Sequence, residues 1–129
     1  MNNSQKLLDM AMKVADNSYS PYSNFAVGCA IFADNRCFYS GCNVENVSFP
    51  VGTCAEEAAI AAMIADGGKK IVEILVYADA ENLISPCGAC RQRILEFADD
   101  NTMVYMANTK GIGKSVKAME LLPFVFKEF

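Results

Sequence analysis

Two short stretches of this chain hold the side chains best suited to chemistry: Thr53-Cys54-Ala55-Glu56 and Ser85-Pro86-Cys87-Gly88-Ala89-Cys90-Arg91. Cys87 and Cys90 lie three residues apart. In the first turn of a helix that spacing puts both sulfurs on one face. Cys54 stands where a second helix begins. Helix starts carry unpaired N–H groups and the positive end of a dipole, so both favour thiolate over thiol. Three thiolates facing one another suit a zinc ion, which takes four ligands and keeps an open position for water when the protein supplies three. Glu56, two residues beyond Cys54, can reach that fourth position without being a ligand. There it can move protons as a general acid and base.

There is no histidine. This removes Ser-His-Asp and Cys-His nucleophilic systems and every imidazole-ligated metal site. Three thiolates around a dication leave a formal charge of −1, and a bound hydroxide makes it −2, so positive potential is needed nearby. The helix starts supply part of it, and Arg91, next to Cys90, is the nearest cation in sequence and the candidate for charge compensation. Two competing readings use the same residues. A closed structural zinc site needs a fourth ligand from Cys29, Cys37 or Cys42. A redox dithiol needs only Cys87-Gly88-Ala89-Cys90, but leaves Thr53-Cys54-Ala55-Glu56 without a task.

The elements that must position these groups follow from apolar periodicity. Leu7, Leu8, Met10, Ala11, Val14 and Ala15 recur at helical spacing over 4–16, with Asn3 or Ser4 as cap. A polar loop over 17–24 leads to strands at 25–33 and about 36–42, joined by the Asp34-Asn35 turn. Thr53 is placed to cap an alanine-rich helix that Gly67-Gly68 ends. The run at 71–78 is apolar nearly throughout, as in a strand covered on both faces. Ser85 and Pro86 suit the N-cap and first position of a helix over about 87–98. A fourth strand is expected at 102–107, a turn at 108–113, a fifth strand near 115–118 and a helical turn at 119–122. Strands interleaved with helices predict an α/β domain, a mixed sheet with helices on its faces.

The 129 residues are enough for a single domain, 1–129, with its own core. An apolar content of 53% is high for that length and implies surface covered by further copies. A net charge of −4 without a long Lys/Arg run argues against binding to nucleic acid through its phosphates and favours a small-molecule substrate. No apolar run approaches the ~20 residues that span a bilayer, and Asp9 and Lys13 interrupt any signal-peptide core. Six cysteines in such a chain are expected to be reduced thiols in the cytoplasm.

Further motifs surround the two stretches: Ser20-Pro21-Tyr22-Ser23-Asn24-Phe25, Gly41-Cys42-Asn43-Val44-Glu45-Asn46, Ile84-Ser85 before Pro86, Gln92 after Arg91, and Glu120-Leu121-Leu122-Pro123. Taken in this order, they make the chain resemble the small homotetrameric, zinc-dependent cytidine deaminases of pyrimidine salvage, from about Ser18 to Phe126. The resemblance implies a three-layer α/β/α sandwich with a mixed five-stranded sheet. It implies hydrolysis of cytidine and 2′-deoxycytidine to uridine and 2′-deoxyuridine with release of ammonia, by hydroxide on zinc attacking C4. By the same likeness Cys54, Cys87 and Cys90 bind one Zn²⁺ per subunit and Glu56 shuttles the proton. Asn43 and Glu45 hold the ribose, the Ala55 backbone and Phe25 hold the base, and Phe126 reaches a neighbouring subunit's site. A deaminase of a modified nucleoside such as blasticidin S shares the metal motifs, but the complete Asn43-Val44-Glu45-Asn46 stretch favours an ordinary pyrimidine nucleoside. The chain departs from the family at Glu57, where Arg usually follows the catalytic Glu. A carboxylate beside an already anionic centre weakens the metal's Lewis acidity unless it is protonated or turned away, and Arg91 is a cation that could pair with it.

Overall fold

A computed structural model describes residues 2–129. Helix α1 (Ser4–Ala15) is followed by strands β1 (Val27–Ala33) and β2 (Phe38–Cys42), helix α2 (Ala55–Ala65), β3 (Ile71–Ala78), helix α3 (Gly88–Glu96), β4 (Met103–Asn108) and β5 (Gly111–Lys117). The strands form one mixed sheet in the order β2-β1-β3-β4-β5. Only β3 and β4, the pair connected through α3, run parallel; the other neighbours are antiparallel.

Two apolar layers sandwich the sheet. On one face Leu7, Leu8, Ala11 and Ala15 of α1 pack on Ala30, Leu75, Tyr77, Tyr105 and Ala107. On the other, Ala55, Ala59, Ile60 and Met63 of α2 and Ile94 and Leu95 of α3 cover Cys29, Ile31, Ile74, Val76, Val104 and Met106. The expected three-layer α/β/α arrangement is therefore present. Apart from Val72, β3 is buried along its length, as its composition predicts. The exception to its apolar character is Glu73, which is buried. Its carboxylate accepts from the Asn3 backbone N–H and side-chain amide and from the Tyr105 hydroxyl at 2.7 Å. Asn3 is the N-cap residue of α1, but its side chain is given to Glu73 rather than to the helix.

The alanines of α2 let it approach the sheet closely. A Cβ on Gly41 would lie 2.5 Å from the Ala59 nitrogen and 2.9 Å from the Ala55 carbonyl oxygen, so glycine in β2 fixes how near the start of α2 can sit. Some boundaries differ from the sequence reading. The N-cap residues are Cys54 and Cys87, not Thr53 and Ser85, so each cysteine ends an extended segment and begins a helix. Strand β5 starts at Gly111, four residues before the expected point, because Gly111 takes φ +111° and closes a tight hairpin after Thr109-Lys110.

Candidate active site

The starts of α2 and α3 bring Cys54, Cys87 and Cys90 together, with their sulfurs all within 4.8 Å of one another. Zinc–thiolate bonds of about 2.3 Å place tetrahedral sulfurs about 3.8 Å apart, so a modest contraction suffices for a single ion. Among the described residues no fourth ligand atom joins this group. Cys29 lies buried in the core beneath it, and Cys37 and Cys42 lie elsewhere on β1–β2. The donor set fits an open three-thiolate site and not a closed four-ligand one.

Position sets the thiol acidities apart. Backbone N–H groups of Cys90 and Ala89 point at the Cys87 sulfur and hold its pKa below the usual thiol value. Burial pushes Cys54 and Cys90 up, and the nearby Glu56 charge adds to this. Such crowding of anionic groups is relieved when a dication takes the place of the protons.

Glu56, in the first turn of α2, is 5% exposed. Burial raises its pKa, against opposing hydrogen bonds from its own backbone and from the Cys90 thiol and the opposing charge of Arg93. A buried carboxyl in contact with the thiols, with its pKa moved toward neutrality, can take up and return a proton.

A cavity of about 220 Å³ opens over this group, lined by Val27, Asn43, Cys54, Ala55, Glu56, Val76 and residues of the segment before α3. A second, of about 440 Å³, lies beside it and is lined by Tyr22, Ser23, Val44, Glu45, Asn46, Phe49 and Thr53. Both are bounded by Asn43 and Cys54. The result is a two-lobed cleft, with sulfur and Glu56 at one end and a polar loop at the other. Asn43 is fastened at the junction: its Oδ1 accepts from the Val27 N–H at 3.0 Å and from Ser18 Oγ, and its Nδ2 donates to the Phe25 carbonyl. Glu45 accepts from the Tyr22 and Ser23 N–H groups and from Ser23 Oγ. The Ser23 hydroxyl, ahead of the N–H bonds, holds its carboxyl below the usual range.

Other expected site residues fall outside the cleft. Phe25 is half-buried and belongs to neither lining; its carbonyl supports Asn43. Phe126 is 62% exposed on the C-terminal tail. Its carbonyl accepts from Gln92 Nε2, and its ring packs edge-on to Phe129. Arg91, expected to compensate the charge of the sulfur group, makes its contacts elsewhere. Its guanidinium donates to the Pro86 carbonyl at 2.9 Å, the Leu121 carbonyl at 2.9 Å and Ser85 Oγ, bracing the segment that carries Cys87. The guanidinium on the sulfur is that of Arg93, whose Nη1 lies 3.5 Å from Cys90 Sγ. Its Nη2 lies 3.6 Å from Glu57 Oε2. The helix explains the exchange: three residues advance 300° and return nearly to the same face, whereas one residue advances 100°. The i, i+3 relation of Cys90 and Arg93 was the sequence signal for this contact.

An α/β/α sandwich presenting three thiols and a buried carboxylate at two opposed helix starts defines a metal-site enzyme of the deaminase class. The profile of the "Cytidine and deoxycytidylate deaminase zinc-binding region" matches residues 1–107, and the chain belongs to that family. The cytidine deaminase of Sporosarcina psychrophila is 39% identical over 124 residues, covering 96% of this chain and 91% of that protein. That of Mycoplasma genitalium is 39% identical over 127 residues, covering 98% and 97%. The crystal structure of cytidine deaminase from Burkholderia pseudomallei superposes with a TM-score of 0.90 at 34% identity, covering 98% of this chain and all of that one (100%).

Proposed function

We propose that this chain hydrolyses cytidine and 2′-deoxycytidine to uridine and 2′-deoxyuridine, releasing ammonia. The observation that carries the reading is the meeting of an open three-thiol group with buried Glu56 at one end of a two-lobed cleft. The family relationship supports the same reaction.

Cys54, Cys87 and Cys90 would hold zinc, which when bound supplies the Lewis acidity that makes water nucleophilic near neutral pH. The remaining roles belong to the chain. Glu56 accepts one proton of the attacking water and passes it to N3 of the cytosine ring. It then takes the remaining proton from the hydroxyl now on C4 and delivers it to the departing amine, which leaves as ammonia. Its burial favours the protonated carboxyl when no other charge offsets it, which suits a group that must both take and give. The Ala55 backbone, buried beside it, offers polar atoms to the base edge. Asn43 and Glu45 lie at the lobe where a sugar attached to that base would rest. Glu45 is held by the 22–23 loop with carboxylate lone pairs still available for hydroxyl donors. The exposed, tail-borne Phe126 is consistent with insertion into a neighbouring subunit's cleft, and the exposed Val47, Phe49 and Val51 near the cleft are apolar surface for such a neighbour. The working state is then a homotetramer, in the cytoplasm. No helix among the described residues is long and apolar enough to cross a membrane.

The test is an ultraviolet assay of cytidine, 2′-deoxycytidine, cytosine and blasticidin S on protein of measured zinc content. Turnover of the two nucleosides alone, with about one zinc per chain, is expected. Preference for blasticidin S would transfer the assignment to a modified nucleoside, and a metal-replete protein inert toward all four would overturn it. Glu56→Gln should retain zinc and lose about 100- to 10,000-fold in kcat, the range of a general acid–base contribution.

A further inference from the structure

The carboxylate of Glu57 follows Glu56 directly, at the edge of a site that would gather three thiolates. Left facing that site, it would add a further negative charge where the chemistry needs less. Its actual environment is different. Glu57 is the third residue of α2, and one carboxylate oxygen turns back toward the Cys54 N–H at 3.4 Å, the returning half of a capping box. The other oxygen faces Arg93, which in turn reaches the Cys90 sulfur. A continuous chain of polar contacts thus runs from the N-cap of α2 through Glu57 and Arg93 to a sulfur near the start of α3.

We infer that Arg93 is the cation that moderates the sulfur centre in this protein, and that Glu57 is the positioning residue that holds it against Cys90. This rests on the zinc-deaminase reading given above and extends it to the control of the metal's electrophilicity. A guanidinium donating to a ligand thiolate withdraws electron density from the sulfur, so the sulfur gives less to the metal. It also brings the formal charge of the three thiolates, the dication and the arginine from −1 to zero.

Two observations separate this from an ordinary surface ion pair. The Arg93 and Glu57 side chains are 37% and 39% exposed, and a pair of that kind alone contributes little. Yet the guanidinium also meets a sulfur whose residue is 1% exposed. The neighbouring arginine is unavailable for the task, because its Nε, Nη1 and Nη2 groups all donate to Pro86, Leu121 and Ser85. The arrangement distributes the work over two helices: α3 supplies the cation and α2 supplies its anchor.

The experiment uses the full chain loaded with cobalt(II), comparing parent, Arg93→Gln, Arg93→Lys, Glu57→Gln and the exchange variant Glu57→Arg/Arg93→Glu. Arg93→Gln should move the thiolate-to-cobalt charge-transfer band to lower energy, because an undamped thiolate is more easily oxidised. In the zinc form it should lower kcat by about tenfold, less than the ~100-fold seen for a fully preorganised buried donor, with KM changed much less. Arg93→Lys should recover part of both effects, and the exchange variant should recover more than Arg93→Gln. Glu57→Gln, which leaves the cation untethered, should give a smaller shift in the same direction. If Arg93→Gln fails to fold, Glu57→Gln decides by the same two readouts. An unmoved band together with the parent kcat would overturn the inference. Failure of the parent to deaminate any cytosine nucleoside would instead overturn the proposed function. The band comparison needs only metal on the thiols and is decided separately.

Discussion

Glu56 is a carboxyl group in surroundings that disfavour a charged carboxylate. Burial raises its pKa in the folded chain above the value of an exposed glutamate. Such a group contributes stability that is fully present below its unfolded pKa and is lost as pH rises through its folded one. In metal-stripped protein Glu56→Gln, neutral at every pH, should therefore melt higher than the parent at pH 7 and converge with it in acid. Parallel melting curves across that range would show that Glu56 is not strained by its setting. The same residue then shows opposed effects, because a change that removes turnover removes a destabilising charge as well. Glu45 is of another kind. Its carboxylate joins the 22–23 loop to the loop after β2 by three hydrogen bonds, and it faces the outer lobe of the cleft. Glu45→Ala should raise KM for cytidine by about tenfold or more while changing kcat less, the pattern of lost uniform binding. Steady-state kinetics at saturating metal measures the split.

At the scale of elements, the position of α2 decides whether the site exists, since Cys54 caps it and Glu56 sits in its first turn. Gly41 in β2 sets that position. A side chain there would collide with backbone atoms of residues 55 and 59, which cannot swing aside as a flexible side chain would. Gly41→Val should cost about 1–3 kcal/mol from overpacking and weaken metal retention against a chelator, because the displaced helix carries a sulfur with it. Gly88 is the informative control. It begins α3 beside Cys87, but a Cβ added there meets nothing within 4 Å. Gly88→Ala should keep both stability and metal. Equal metal loss in the two variants would mean that helix placement is not what Gly41 controls. On the far face of the sheet, Glu73 fastens the start of α1 through Asn3 while Tyr105 satisfies the same carboxylate. Its place between elements 70 residues apart in sequence makes it a structural tie, well away from the sulfur group.

For the whole molecule, the most exposed of the large apolar side chains lie in the loop after β2 and in the tail. Val47, Phe49, Val51, Phe124, Phe126 and Phe129 are all exposed. Gln92 of α3 holds the tail at the Phe126 carbonyl with an N–O distance of 2.6 Å, and the proposed entry of that ring into a neighbouring subunit's cleft is tested by removing it. Removing residues 124–129 should lower both the sedimentation coefficient and kcat/KM, and dilution of the intact protein should lower its specific activity. A truncated chain that sediments as a monomer and retains full activity would place the complete site within one subunit.

Much of this was legible in the chain before folding. Cys87 and Cys90 share a helix face by spacing alone, Glu56 follows Cys54 at a fixed offset, and the order of strands and helices prescribes the α/β class, because these relations are local and the backbone geometry enforces them. Local pattern also misplaced some features. It put the caps at Thr53 and Ser85, where polar side chains are the usual choice, whereas the extended-to-helical change occurs at the cysteines themselves. Adjacency pointed to Arg91, and the turn of the helix also sets Arg93 against Cys90. That Glu57 is turned aside to hold Arg93, that Glu73 is buried and satisfied, and that Asn43 joins two lobes of one cleft were decided only by tertiary structure. Each depends on the distance between segments far apart in sequence, and that distance is fixed by how the helices pack on the sheet.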